Sequence, residues 1–462
     1  MDNKEEKIQT INKLFKEALN NLEKNNLEKS EKQLLQILSS ENLTDKSRAY
    51  ILELLVNIQL RNNKYEIAYN FLQKILAIYQ NLENQEGISS TLQRIAWFHL
   101  DHGDYDSAFT YFLKNLEIFE HLEDTQGIAS TFHSIGITFQ ERADYEKAMK
   151  YFKRSLEIYK DIDYQKGIAS VYHHFGMIYQ EYGEYDKALE YYNLSLELDK
   201  KLNDEQGIAS SLHHIGMINQ YRDNYNIALD YLNQSLEISK KIGDQRGSSS
   251  SLHQIAMIHQ TQGEYDEALK LYNESLELDK KFEDKKGTSY VLGQLGILFY
   301  DKNDYEKSFD YVKRSLEISE EIGDKKGIGS SYSQIGLLEL EKKEYDKALY
   351  YLNKSLEIAK EINDQPGISS VLHQMGLVYQ DLKKYDEALD YYNKSLKISE
   401  KMGEKSEIAL SYQQIAELYT EKRNYDEALK YYKKSVEIGK KINNKKIINN
   451  SIESINELNR GL

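Results

Sequence analysis

The sequence predicts an all-α solenoid of about eleven stacked antiparallel helix pairs, and three observations carry that reading. Tyrosine recurs every 40 residues, at Tyr65, Tyr105, Tyr145, Tyr185, Tyr225, Tyr265, Tyr305, Tyr345, Tyr385 and Tyr425, without a slip. Glycine keeps the same period from Gly87 through Gly127, Gly167, Gly207, Gly247, Gly287 and Gly327 to Gly367, and stops where Glu407 takes the place. A length of 462 residues with one proline and 24 glycines leaves little material for linkers or for a turn-rich sheet.

Within one period, residues 168–182 set Ile168, Tyr172, Phe175 and Tyr179 at steps of three and four, the stripe of an amphipathic helix, here helix A. Residues 185–202 repeat the stripe through Ala188, Leu189, Tyr192, Leu196 and Leu198, which gives helix B, and Gly183 separates the two. The link to the next unit is short. In 243–247, for example, Lys240 and Lys241 precede it in the last turn of helix B, where cations complement the dipole. Asp244 is then placed to cap the next helix A, as are Asp124, Asp204, Asp284, Asp324 and Asp364 in their own units. Pro366 falls in a first helical turn, where its missing N–H costs nothing. Helix A carries interior glycines at 136, 176, 216, 296, 336 and 376, and helix B carries alanine at the period of Ala188. An interior glycine costs roughly 1 kcal/mol against alanine, so its recurrence predicts close helix–helix contact.

The ends depart from the pattern. Residues 5–40 read as a degenerate first pair, with Leu27 and Ser30 where later units have Tyr and Ala, and 46–82 as a better second pair. Residues 84–442 are the regular repeats, and 445–459 form a polar, Asn-rich helix expected to cap the apolar end. Every segment is used by the repeat, so 1–462 is read as a single solenoid domain.

Tyr172, Phe175, Gly176, Tyr179, Ala188 and Tyr192 stand at the spacing W-x2-L-G-x2-Y followed by A-x3-F. The chain therefore resembles the tetratricopeptide repeat (TPR) proteins, over nearly its whole length. Its 40-residue unit is similar to the extended repeats of kinesin light chains, Pins/LGN-type scaffolds and bacterial signalling proteins. The resemblance implies a right-handed superhelix whose concave wall is made by the A helices and holds a protein or peptide ligand. Where co-chaperone TPR domains place Lys and Asn to clamp a terminal carboxylate, this chain has His and Met or Ile. The Asn ladder of Pins/LGN-type repeats is likewise replaced by His or Gln and Met.

On that wall the resemblance singles out several ladders. His133, His173, His213, His253 and His373 are either a row that grips a peptide backbone, a pH-sensitive lining, or residues copied passively by repeat duplication. Gln140, Gln180, Gln220 and Gln260 add amides, continued at Gln380, and Met177, Met217 and Met257 add an adaptable apolar floor unless they pack between layers. The ladder breaks at 290–300, where the His place becomes Gly293 while Tyr290 and Tyr300 replace Ser and Gln. That combination is either a pocket for one anchor side chain or ordinary repeat drift. Trp97 falls on the same track, as a contact residue or a core residue.

Sixty Lys and Arg against 75 Asp and Glu give a net charge of −15, which argues against nucleic acid and anionic membranes as partners. The amino terminus has no apolar core behind its charges and no run of 18 apolar residues occurs, so neither secretion nor membrane spanning is expected. The absence of cysteine and the acidic balance point to the cytoplasm. Seven Lys and one Glu between Lys430 and Lys446 form either a solvated cap or a dock for an acidic surface. No phosphate loop, HExxH or nucleophile elbow is present, so no enzyme, cofactor or metal site is expected. Adjacent layers about 10 Å apart would keep successive ladder imidazoles from converging on one ion. The function read from the sequence is a non-catalytic scaffold holding an extended peptide or a helix, with monomer the favoured state. The alternative is a receptor that binds a short signalling peptide and changes its superhelical pitch.

Overall fold

The structure, a computed structural model, describes residues 2–40, 43–62, 64–442 and 444–461, with side chains placed from residue 11 to residue 460. Among these residues there are 23 helices and no strand. They run α1 Asp2–Glu23, α2 Leu27–Leu38, α3 Asp45–Arg61, α4 Tyr65–Asn81, α5 Gln85–Asp101, α6 Tyr105–His121, α7 Thr125–Glu141 and α8 Tyr145–Asp161. Then follow α9 Gln165–Glu181, α10 Tyr185–Leu202, α11 Glu205–Tyr221, α12 Tyr225–Ile242, α13 Gln245–Thr261, α14 Tyr265–Lys281, α15 Lys285–Asp301 and α16 Tyr305–Ile322. The chain ends with α17 Lys325–Glu341, α18 Tyr345–Glu361, α19 Gln365–Asp381, α20 Tyr385–Met402, α21 Lys405–Glu421, α22 Tyr425–Lys441 and α23 Lys445–Gly461. Odd numbers up to α21 are A helices, even numbers are B helices, and α23 follows the last pair.

The chain parts into two compact units, Met1–Val171 and Tyr172–Leu462. In the first, α1 to α8 each pack on the next helix along the chain, around a core that includes Leu34, Leu55, Leu72 and Ile95. In the second, α10 to α23 do the same. There the core is a series of small clusters, such as Ala188, Tyr192, Leu212 and Ile215, and then Ala268, Tyr272, Leu292 and Leu295. Each cluster draws on a B helix and the A helix that follows it, because no single pair can bury its own apolar stripe.

The recurring small residues act as the repeat requires. A Cβ on Gly176 would stand 2.7 Å from the Tyr192 ring, and one on Gly376 would stand 2.4 Å from Tyr392. Glycine thus lets the A helix approach the large buried ring of its own B helix, and the contact compensates for the propensity lost. Asp124, Asp204, Asp244, Asp284 and Asp364 cap their A helices by accepting from the backbone N–H three residues on. Asp324 stands at the same place without that bond.

In the second unit successive A helices touch one another, α11 with α13, α13 with α15, α15 with α17 and α17 with α19. No contact of comparable extent joins successive B helices among the described residues. The A helices therefore form the inner, tighter wall and the B helices splay on the outside. The curvature is strong enough to bring α23 over the turn between α11 and α12, where the Lys446 backbone N–H donates to the Asp223 carboxylate at 3.2 Å. On the same path Tyr185 faces Ser406 and Glu404.

Candidate functional site

The inner wall is built from a few places on each A helix. The histidine ladder lies there, but its rings turn into the seam between layers. In the first unit His133 shares a hydrogen bond with Ser170 at 3.3 Å and packs on Phe152. In the second, His173 pairs with Ser210 at 3.4 Å, and His213 pairs with both Ser250 and Ser251 at 3.4 Å. His173 and His373 also lie against the buried rings Tyr192 and Tyr392, with centroids 5.3 and 5.2 Å apart. His133, His173 and His213 thus tie their layers to the next through a serine 37 residues on, whereas His253 has Tyr290 and His373 has Leu410 at that place.

Burial pushes the imidazoles of His173, His213 and His373 down to about 4 and that of His253 to about 3. They stay neutral at pH 6.5, which opposes the reading of a lining that titrates there. An imidazole outside the ladder comes closer to it than the layer spacing. His214 reaches back to the preceding layer, stacks on Tyr192 and brings its ring centroid to 4.9 Å from that of His173. No group of three or more potential metal ligands was found among the described residues.

His253 differs from the rest of the ladder. Tyr290 stands where the previous layers have serine, so the ring of His253 is covered by the Tyr290 ring at 4.7 Å and backed by Tyr272 at 5.4 Å. It is 3% exposed, and neither ring nitrogen has a hydrogen-bond partner. Tyr290 itself is 55% exposed. At Gly293, which is buried, a Cβ would stand in ordinary contact, 3.5 Å from Ser315 of its own unit and 3.7 Å from the Gln334 amide of the next.

The glutamines are committed in a regular way. Gln180, Gln260 and Gln380 each accept from the phenol of the B-helix tyrosine in their own unit, Tyr192, Tyr272 and Tyr392, at 2.7–3.0 Å. Gln220 belongs to the unit with Leu232 at that place, and its buried Oε1 is left without a partner. Gln140 is half-buried at the corresponding place of the first unit. Met177, Met217 and Met257 are half-buried, and Met177 and Met257 pack one side on the core clusters of their layers. Trp97 is half-buried with its edge on Phe112 at 5.7 Å, which is packing within its own pair.

One row escaped the sequence reading, although its period was there to be seen. The last residues of α15, α17, α19 and α21 are Asp301, Glu341, Asp381 and Glu421, exposed along the edge formed by the A–B turns. Each accepts a hydrogen bond from the preceding unit: Asp301 from Gln260 (2.5 Å), Glu341 from Tyr300 (2.5 Å), Asp381 from Tyr345 (2.8 Å) and Glu421 from Gln380 (2.6 Å). Burial and then the Glu341 carboxylate raise the Tyr300 phenol, so it remains a donor. Further along the inner path, burial and the carboxylates of Glu407, Glu181 and Asp364 push Glu404 up to about 7. Glu181 still touches water, yet the protein around it raises its carboxyl, with Lys326 opposing.

A profile of the tetratricopeptide repeat matches residues 98–161, 167–241, 247–321, 287–361, 327–401 and 367–441. The chain belongs to the tetratricopeptide repeat family. Solved structures share the fold at low identity. A Rap protein complexed with Competence and Sporulation Factor superposes with a TM-score of 0.56 at 16% identity, over 77% of this chain and 98% of its own. The Rap conjugation gene regulator of plasmid pLS20, in complex with the Phr* peptide, gives 0.52 at 14%, over 77% and 96%. Yeast Tom70 gives 0.45 at 14%, over 98% and 96%. No curated protein matches the sequence. No helix among the described residues is long and apolar enough to cross a membrane.

Proposed function

We propose that the chain is a non-catalytic interaction scaffold of the cytoplasm, in which the inner wall of A helices holds an extended segment or a helix of a partner protein. The observation that carries this reading is the wall itself. Direct contact between successive A helices aligns equivalent residues of each unit along one continuous surface, and Met217, Met257 and Tyr290 present adaptable and aromatic side chains on it. Two solenoids of similar fold are complexed with Competence and Sporulation Factor and with the Phr* peptide, which favours a peptide as occupant. In this reading the ladder of His173, His213 and His253 sets the spacing of the wall, and Tyr290 and the acidic edge meet the ligand. In the first unit His133, Gln140 and Trp97 hold the equivalent places, and α23 caps the array.

The test is site-directed photo-cross-linking of the full chain in lysate, with the reactive group at Met257 on the inner wall or at Asn273 on the outer face. Adducts from position 257 and none from 273 support the groove, and the reverse pattern removes it. The alternative, a receptor whose pitch responds to a short peptide, is favoured by the contact between Lys446 and Asp223, which a change of pitch would have to alter. Small-angle scattering of the chain with and without the cross-linked peptide separates the two, because a passive scaffold keeps its radius of gyration.

A further inference from the structure

We infer that the second unit carries a proton-operated latch between successive turns of its own superhelix, closed while the Glu404 carboxyl holds a proton and loosened when Glu404 and Glu181 are both ionised. The latch does not depend on what the inner wall holds. Its geometric basis is the cover over four turns. Gly403 and Ser406, at the link into α21, are partly buried, whereas the same two places in all five earlier links of this unit, Gly243 and Arg246 among them, are exposed. On the opposite edge Gly183 and Asp223 are partly buried, whereas the same place in the five later A–B turns, such as Gly263, is exposed. The covered turns face one another. Tyr185 meets Ser406 and Glu404, and Asp223 accepts from the Lys446 backbone N–H at 3.2 Å. Two A–B turns near the start of the unit therefore abut the links into α21 and α23, one superhelical turn further on.

The sequence leaves the repeat at this contact. Glu404 stands where Asp204, Asp244, Asp284 and Asp364 cap their helices, and its side chain makes no cap bond. Glu407 replaces glycine, and Ser406 is small where Arg246, Lys286 and Lys326 are long. The link into α21 thus gives up a local bond and presents two carboxylates where the other turn arrives. Glu404 is faced by Glu407 on its own helix, by Glu181 at the end of α9, by Asp364 at the link into α19 and by the Tyr185 phenol of α10. Glu181 is faced in turn by the phenols of Tyr192 and Tyr221 and by one cation, Lys326. Arg222, beside Tyr185, is held by Asp186 at 2.6 Å. Closing the latch therefore crowds carboxylates that the nearby cations do not balance, and a proton on Glu404 removes one of those charges. Burial, and then the facing carboxylates, push Glu404 up from 4.5 to about 7. The closed form holds a proton that the open form releases, so closure is favoured below about pH 7 and weakens as pH rises through it.

The experiment measures the distance across the latch. The chain has no cysteine, so two can be introduced for spin labels, Glu190→Cys on α10 and Lys397→Cys on α20, both at exposed places. Double electron–electron resonance on the full chain is recorded at pH 6 and pH 8.5. A short distance should dominate at pH 6 and a longer population should grow at pH 8.5, with the open-to-closed ratio rising about five- to tenfold. Glu404→Gln in the labelled chain keeps the side chain's size, cannot ionise, and should hold the short distance at both pH values. Circular dichroism of the same samples is expected to show equal helicity, which separates an opened latch from an unfolded chain. A distance distribution unchanged between the two pH values, or one that changes equally in Glu404→Gln, would overturn the latch. Helicity lost in step with the longer distance would overturn it as well, by making the change an unfolding. None of these outcomes alters which position cross-links a partner, so the groove reading stands or falls separately.

Discussion

The seam between α11 and α13 and the seam between α13 and α15 are built from the same repeat and differ in a histidine–serine link. In the first, His213 meets Ser250 and Ser251 of the next layer. In the second, serine is replaced by Tyr290, and His253 is sealed under a ring with no partner for either nitrogen. The layers still stack, because the apolar cluster of Ala256, Tyr272, Leu292 and Leu295 beneath them is complete. A repeat therefore tolerates loss of a polar link in the seam as long as the core below is filled. What changes is the outer side of the seam, where a small hydroxyl gives way to a large exposed ring.

The largest expected effect on that comparison is acid. His173, His213, His253 and His373 titrate near 6.5 when unfolded but at about 3–4 when folded, so between those values the unfolded chain binds more protons. Their stability contribution is full above about pH 6.5 and falls as pH drops toward 4, by about 2 kcal/mol per histidine at pH 5. Thermal melts at pH 7, 6 and 5 should show the decline, and His253→Gln should lessen it. A flat profile would place these rings in water instead of in the seams.

Glu404 should behave in the opposite sense. Its carboxyl ionises near 4.5 in the unfolded chain and at about 7 in the folded one, so the folded state holds the proton in between and loses stability as pH rises through 7. Glu404→Gln is expected to raise stability at pH 8 by about 1–2 kcal/mol, a value discounted for partial exposure. The gain should vanish toward pH 4.5. A gain independent of pH would mean that charge is not its cause.

A smaller effect separates the two seams directly. Tyr290→Ala uncovers His253 and should cost about 1–2 kcal/mol through the lost ring contact. Tyr290→Ser rebuilds the link of the neighbouring seam and should recover about half of that loss in a denaturant titration. Equal losses for both variants would show that serine does not make the link. The smallest effect concerns Gln220, whose unit has Leu232 where four others have tyrosine. Leu232→Tyr supplies the missing phenol beside Gly216 and should stabilise by about 1 kcal/mol. A clear loss would show that the space beside Gly216 differs from that beside Gly176.

Much of the fold was legible because each signal acts locally. Gly176, Ala188 and Asp204 each report one contact within a pair or one cap, so the 40-residue period fixes the helices and their order. The ends read nearly as well, since 445–459 falls within α23 and 27–40 is represented by α2. The site was less legible. The histidines lie on the expected helix face, but whether such a residue points into a groove or into the seam depends on how closely the next layer stacks. The surroundings of Gly293 depend on the same stacking, since the Gln334 amide of the following unit stands beside it. The row Asp301, Glu341, Asp381 and Glu421 has the same period as the glycines and was passed over because acids at helix ends read as ordinary solvated charge.

The sequence by itself determined the helix pairs, their caps and the close approach of helix A to helix B, because hydrophobic period, capping and side-chain volume are properties of neighbouring residues. Only the tertiary structure decided which polar side chains find partners. The bond from His213 to Ser250 spans 37 residues and that from Gln380 to Glu421 spans 41, while Lys446 meets Asp223 across 223. Such distances follow from the stacking and curvature of many units together, which no single repeat encodes.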